Sequence, residues 1–334
     1  MSSGHYASLR LAKQCFSSQN IDSPTNPVRF IYFCTIFIGV IFGLTISGAT
    51  ILESLINPAL ALMLFATFLQ VPIAEIGKAL KNLRFISALL ITNFIALPLI
   101  TAGLIQFLPE NPLIRLAVLF VLLAPCIDYV ITFTHVGKGN ARLLLAMTPV
   151  LLLIQMILLP IYLGVLLGEE VAQLVEIGPF VHAFVWFIVA PLAMAAIVQF
   201  IGNRNEQAEK VAESLNLFPV PATALVLFIV LASVMPQIGL AKSAALQALP
   251  IYISFAIIAP FVGWIIARIF RLESGSASAV SFSASYRNSF VILPLAFAIP
   301  GSMPIIPTVI LTQTIVELCF LPIYIRLIPR LFKT

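Results

Sequence analysis

Charge is scarce in this chain: 9% of its 334 residues are Asp, Glu, Lys or Arg, against about 25% in a soluble globular domain. That deficit excludes a water-soluble fold. The longest polar stretch beyond the N-terminus is 202–216, so no soluble domain is expected. Cysteine is sparse too. Cys15, Cys34, Cys126 and Cys319 form no CxxC pair and three of them sit in apolar runs, which argues against a disulfide framework. There is no metal-ligand spacing, glycine-rich phosphate loop or nucleophile–base arrangement. Neither an enzyme nor a cofactor or metal site is therefore expected. The formal net charge of +5 is spread in short clusters between apolar runs, which does not make a nucleic-acid-binding face.

What is present is apolar. Hydrophobic residues make up 61% of the chain and the mean hydropathy is +1.10. A helix needs about 20 apolar residues to cross a bilayer. Ten such runs can be read, at 30–50, 57–75, 85–107, 115–136, 142–167, 177–201, 217–238, 246–269, 277–299 and 303–328. The first 28 residues are polar, rich in Ser and Asn, and lack the apolar core and cleavage site of a signal peptide. They read as a disordered cytoplasmic tail. With both termini in the cytoplasm, fifteen of the 18 Lys and Arg fall on inner segments, only Arg115 and Lys242 fall outside, and Arg287 lies within a span. The positive-inside rule favours this orientation and the even number of spans. The expectation is a multi-pass protein of the plasma (inner) membrane, with the lipid bilayer as its solvent. Nothing in the pattern sets an oligomeric state.

The chain also repeats itself. Leu159-Pro160-Ile161-Tyr162 returns as Leu321-Pro322-Ile323-Tyr324, 162 residues later. Pro98 returns as Pro260 and Gln155 as Glu317 at the same offset of 162. A looser echo joins 65–72 with 229–236. Several matches at one offset predict a duplicated unit, 29–170 followed by 171–334. Five spans per unit is an odd number, so the second unit enters the membrane inverted. Inverted repeats are the architecture of secondary transporters, with the substrate near mid-membrane where the halves meet.

Three ionisable residues sit deep in spans: Asp128, Arg287 and Glu317. A charge at a helix centre costs about 2.5–3.5 kcal/mol on insertion scales, so such residues are functional candidates by default. Asp128 lies in Ala124-Pro125-Cys126-Ile127-Asp128, within span 4; Arg287 lies in Ser283-Ala284-Ser285-Tyr286-Arg287-Asn288-Ser289, within span 9. Both segments predict a discontinuous helix, with Pro125, Ser285 and Ser289 marking the breaks. A broken helix exposes N–H groups on one side and carbonyls on the other. The spans would cross there to form a substrate and ion site from Cys126, Asp128, Arg287 and Asn288. The competing reading is an Asp128–Arg287 pair that only joins two helices. Glu317 could carry a coupling proton, or be a protonated structural carboxyl; its counterpart Gln155 and Asp128 share the coupling-ion reading. His135 and His182, near span ends, read as interfacial.

These segments resemble the bile acid–arsenite–riboflavin transporter superfamily. Ala124-Pro125-Cys126 followed by Lys138-Gly139-Asn140 is similar to the APC…KG[DN] pattern of the arsenite-efflux permeases, and Ile315-Val316-Glu317-Leu318 to their LVEV segment. Arg287-Asn288-Ser289 stands where those permeases carry SN and the bile acid–sodium symporters QN. The resemblance implies ten helices, with a core domain (spans 3–5 and 8–10), a panel domain (spans 1, 2, 6 and 7), and spans 4 and 9 broken and crossing. It ties Cys126 to arsenite. Ser283 replaces a symporter Glu that helps bind sodium, Arg287 replaces the Gln, Val291 replaces a permease Glu, and Asp128 has no permease counterpart. The resemblance implies export of arsenite or a related metalloid oxyanion with proton exchange. The departures leave open a small organic anion carried with protons or sodium. A membrane sensor or membrane-embedded enzyme is the competitor of another class, opposed by the lack of a catalytic constellation and of a cytoplasmic domain.

Overall fold

The computed structural model describes residues 27–46, 48–69, 80–127, 129–167, 178, 182, 185–202, 218–297 and 305–332. Most of the expected tail, the outer loop with Glu169, Glu170 and Glu176, and the candidate Asp128 lie outside the described residues. Within them the chain is helical, with no strand ladder. In chain order the helices are α1 (Pro27–Thr45), α2 (Ile56–Leu69), α3 (Leu83–Phe107), α4 (Pro112–Leu122), α5 (Tyr129–Val136) and α6 (Ala141–Leu167). They continue with α7 (Ala190–Gly202), α8 (Pro219–Val234), α9 (Ile238–Ile269), α10 (Ser274–Ser285), α11 (Ser289–Phe297) and α12 (Ile305–Leu331). Five stretches are long and apolar enough to span a bilayer: 49–69, α3, α6, 241–269 within α9, and α12. Apolar side chains such as Phe37, Ile157 and Ile269 face outward. With four shorter apolar helices beside them, this is a multi-pass membrane protein.

Helix limits differ from the apolar runs where polarity misleads. Span 8 is expected from 246, but α9 starts at Ile238, with a kink at Ala241. Lys242 and Ser243 mask that first part in the sequence although their backbone continues the helix. Ala49–Leu55, expected to be partly loop, winds as a tight 3-10 turn leading into α2.

The chain divides into two compact units. One joins Met1–Glu75 with His182–Pro236, the other Ile76–Val181 with Gln237–Thr334. The first therefore holds α1, α2, α7 and α8. Here α1 packs on α8 through Gly43, where an added Cβ would stand 2.7 Å from the Ala232 carbonyl oxygen. Gln199 of α7 donates to the Phe68 and Leu69 carbonyls at the end of α2, both at 3.0 Å.

The second unit holds α3–α6 and α9–α12. Its repeated sequence signals become one structural device used twice. A helix-interior proline has no N–H and frees the carbonyl four residues before it. Pro98 frees that of Phe94, and Pro260 that of Ala256. The Tyr162 hydroxyl donates to the Phe94 carbonyl, and the Tyr324 hydroxyl donates to the Ala256 carbonyl at 2.8 Å. Both donors close a Leu-Pro-Ile-Tyr motif, and donor and acceptor shift by the same 162 residues. In a membrane no water would satisfy those carbonyls. Gly263 lets α9 close on α10, since a Cβ there would meet Ser281 Cα at 2.6 Å.

Candidate functional site

Two helices of the second unit are interrupted, and the interruptions meet. Span 4 is α4 and α5 with a non-helical link over 123–128; span 9 is α10 and α11 with a link over 286–288. Pro125 cannot donate and pushes Ala124 away from helical geometry. Tyr286 is extended (φ −111°, ψ 136°). The freed backbone groups satisfy one another. Cys126 N–H donates to the Tyr286 carbonyl at 3.2 Å, and Asn288 N–H donates to the Ala124 carbonyl at 2.9 Å. Pro125 and Arg287 face each other as an antiparallel pair. Each facing partner is its counterpart plus 162: Ala124 and Tyr286, Pro125 and Arg287, Cys126 and Asn288. The two hydrogen bonds exchange under that shift.

Arg287 is wholly buried, at 0% exposure. Its Nη2 donates to the Ser283 carbonyl (2.8 Å), the Ala284 carbonyl (2.9 Å) and Asn93 Oδ1 (2.9 Å). Nη1 donates to the Leu122 carbonyl at 3.4 Å. Nη2 has only two hydrogens, so one is shared. The carbonyls belong to the C-terminal ends of α10 and α4, which carry partial negative charge. Phe255 lies beneath, its ring centre 5.5 Å from the guanidinium carbon. Nε has no partner among the described residues.

Glu317 of α12 is 2% exposed and accepts three hydrogen bonds. Tyr129 of α5 donates its hydroxyl, Arg287 its backbone N–H at 2.8 Å, and Gln313 its amide at 2.6 Å. Ser289 Oγ donates to Gln313 Oε1 at 2.7 Å, extending the chain of contacts to the start of α11. One carboxyl thus ties α12 to both broken spans.

The remaining candidates fall around this node. Asn288 Oδ1 accepts the Val291 N–H at 3.1 Å and caps α11, while its Nδ2, in a residue 1% exposed, has no partner among the described residues. Ser285 bonds back to the Ser281 carbonyl at 2.7 Å. Cys126 is buried at the crossing; Cys319 is exposed. Gln155 of α6 is buried, and neither its oxygen nor its nitrogen has a partner among the described residues. Tyr286 sits in an aromatic cluster, stacked on Phe133 at 5.9 Å and edge-on to Tyr324 at 5.6 Å.

Sequence reasoning missed Asn93, and it left Tyr129 and Gln313 without a role. Asn93 lies on a widened turn of α3 (Thr92–Ala96) and also donates to Ser283 Oγ at 3.0 Å. The signal was available: Thr92-Asn93 is a polar pair inside an apolar run, and widened turns mark functional positions in helices. Among the described residues no cluster of three or more His, Cys, Asp or Glu could hold a metal ion.

Comparison with curated proteins yields no match. A family model, that of the Sodium Bile acid symporter family, matches residues 57–242, more than half of the chain. The matched stretch includes the break at Pro125 and ends before Arg287, Asn288 and Glu317. This chain belongs to the Sodium Bile acid symporter family.

Proposed function

We propose that this protein is a secondary active transporter of a small organic anion, and that the crossing of the two broken helices is its site. One observation carries the reading. Two buried donors, Asn288 Nδ2 and Arg287 Nε, stand unpartnered among the described residues where α5 and α11 begin. Half-helix N-termini carry partial positive charge and hold anionic groups in transporters. Membership in a symporter family supports the same conclusion.

The architecture we infer is ten spans in two inverted five-helix units, 29–170 and 171–334. Spans 3–5 and 8–10 form the core and spans 1, 2, 6 and 7 the panel. Antiparallel pairing of each break residue with its own counterpart at +162 supports inversion, because equivalent segments must then run in opposite directions. The plasma membrane and cytoplasmic termini follow from the distribution of Lys and Arg. Proton coupling through Glu317, Gln155 or Asp128 belongs to the same proposal.

A second substrate reading, arsenite or a related metalloid oxyanion, rests on Cys126 at the crossing. Both are tested by thermal unfolding of the purified protein against carboxylates, sulfonates, bile acids and arsenite. A ligand at a hundred times its Kd stabilises the folded state by about 2.7 kcal/mol. Asn288→Asp keeps the α11 cap but replaces a donor with negative charge. It should abolish stabilisation by organic anions and their uptake into proteoliposomes. Stabilisation by arsenite alone, lost in Cys126→Ser, would turn the assignment to the metalloid.

A further inference from the structure

The family name implies sodium as cargo, and the crossing is where a cation would be expected. Carbonyls at the C-terminal ends of half-helices, and unwound backbone beside them, coordinate sodium or protons in transporters. Here four oxygens converge: the carbonyls of Leu122, Ser283 and Ala284, and Asn93 Oδ1. They come from α4, α10 and α3, the elements that such a cage would need. All four accept from one guanidinium, and that guanidinium is fully buried.

We propose that Arg287 is a tethered cation: its side chain occupies the cage that a free cation would take, and the folded wild-type protein does not bind sodium there. The fit argues for this in three ways. Each oxygen already accepts a hydrogen bond, so a metal ion would displace the guanidinium from its acceptors. A second positive charge within the same cage would be repelled by a fixed one that cannot leave. Ser283, whose carbonyl lines the cage, offers only a hydroxyl as its side-chain oxygen, and that hydroxyl accepts from Asn93 Nδ2. A free coupling ion enters and leaves; a charge on the chain does neither. The sodium gradient therefore has no purchase on this site, and Arg287 positions the ends of α4 and α10 in place of a bound ion.

The test needs no substrate, so its outcome is separate from that of the transport reading. Thermal unfolding of the full-length purified protein is compared in sodium, potassium and choline chloride at equal ionic strength, which holds general screening constant. Wild type should unfold at one temperature in all three. Arg287→Ala should unfold several degrees lower in choline, and sodium or low millimolar guanidinium should recover at least half of that loss by refilling the cage. Failure of every cation to rescue would overturn the proposal and leave Arg287 a hydrogen-bonding strut. If Arg287→Ala does not fold, equilibrium binding of radioactive sodium to wild type decides. No saturable binding supports the tethered cation; saturable binding with a matching rise in unfolding temperature overturns it.

Discussion

Gln155 and Glu317 hold the same place in the two halves of the sequence, yet their surroundings are opposite. Glu317 accepts from Tyr129, Arg287 and Gln313. Gln155 is equally buried and has no partner among the described residues. The offset of 162 explains the difference residue by residue. The counterparts of Arg287, Tyr129 and Gln313 are Pro125, Val291 and Leu151. Pro125 has no N–H, and the other two have no polar side-chain atom. Duplication supplied the frame, and three substitutions turned one end of it into a cross-linked node. The other end keeps a buried amide with unmet hydrogen-bonding capacity, costly in an apolar setting and therefore a candidate for ligand or ion contact.

The largest effect should come from breaking the satisfied end. Glu317→Ala strands three buried donors and removes the negative charge nearest the Arg287 backbone. Removing one partner of a buried charged network costs about 3–5 kcal/mol. Thermal unfolding in detergent should show a large loss. Glu317→Gln keeps one acceptor and should lose clearly less. If the two variants unfold alike, the node does not hold the crossing together. Next in size is Tyr129→Phe, which deletes a single hydrogen bond to a charged group, about 1.5–3 kcal/mol.

The unsatisfied end should respond with the opposite sign. Gln155→Leu keeps the volume and removes two unpartnered polar atoms, so it should stabilise the protein by about 1 kcal/mol. If the amide serves transport, flux into proteoliposomes should fall while stability rises, the trade expected of a functional site. Gln155→Glu should destabilise, since neither Pro125 nor Val291 can supply what Arg287 and Tyr129 supply to Glu317. A stable Gln155→Glu variant would mean that the amide has a partner, and the contrast between the halves would be lost.

Much of the frame was legible in the sequence because it rests on local chemistry. Proline and serine clusters weaken helices wherever they occur, so both breaks could be read from Pro125 and from the serines of 274–289. The duplication could be read because Leu-Pro-Ile-Tyr and the Pro98–Pro260 pair are parts of one hydrogen bond that both halves retain. The direction of the Arg287 side chain could not be read. Whether a buried guanidinium faces a ligand, a carboxylate or helix-end carbonyls depends on which helices pack around it. Asn93 lies 194 residues from Arg287 and belongs to a different helix. Glu317 was visible as a charge out of place; its three donors come from three separate elements and carry no common local pattern.

The smallest predicted effect tests the duplication itself. Tyr162→Phe and Tyr324→Phe each delete one hydroxyl and leave a proline-freed carbonyl, of Phe94 or Ala256, without its donor. A neutral hydrogen bond is worth about 1 kcal/mol net, and more where the stranded acceptor is cut off from other partners. The two sites differ in burial: Tyr324 is 1% exposed, while Tyr162 is only partly buried. Tyr324→Phe should therefore lose more stability than Tyr162→Phe, with the same sign. The two tyrosines do not touch the same carbonyl or helix, so the double variant should lose the sum of the two to within about 0.5 kcal/mol. Unfolding temperatures of the two single variants and the double variant in one detergent measure this directly. If one variant loses stability and the other gains it, the repeated motif does not do the same work in both halves, and the structural equivalence drawn from the offset fails.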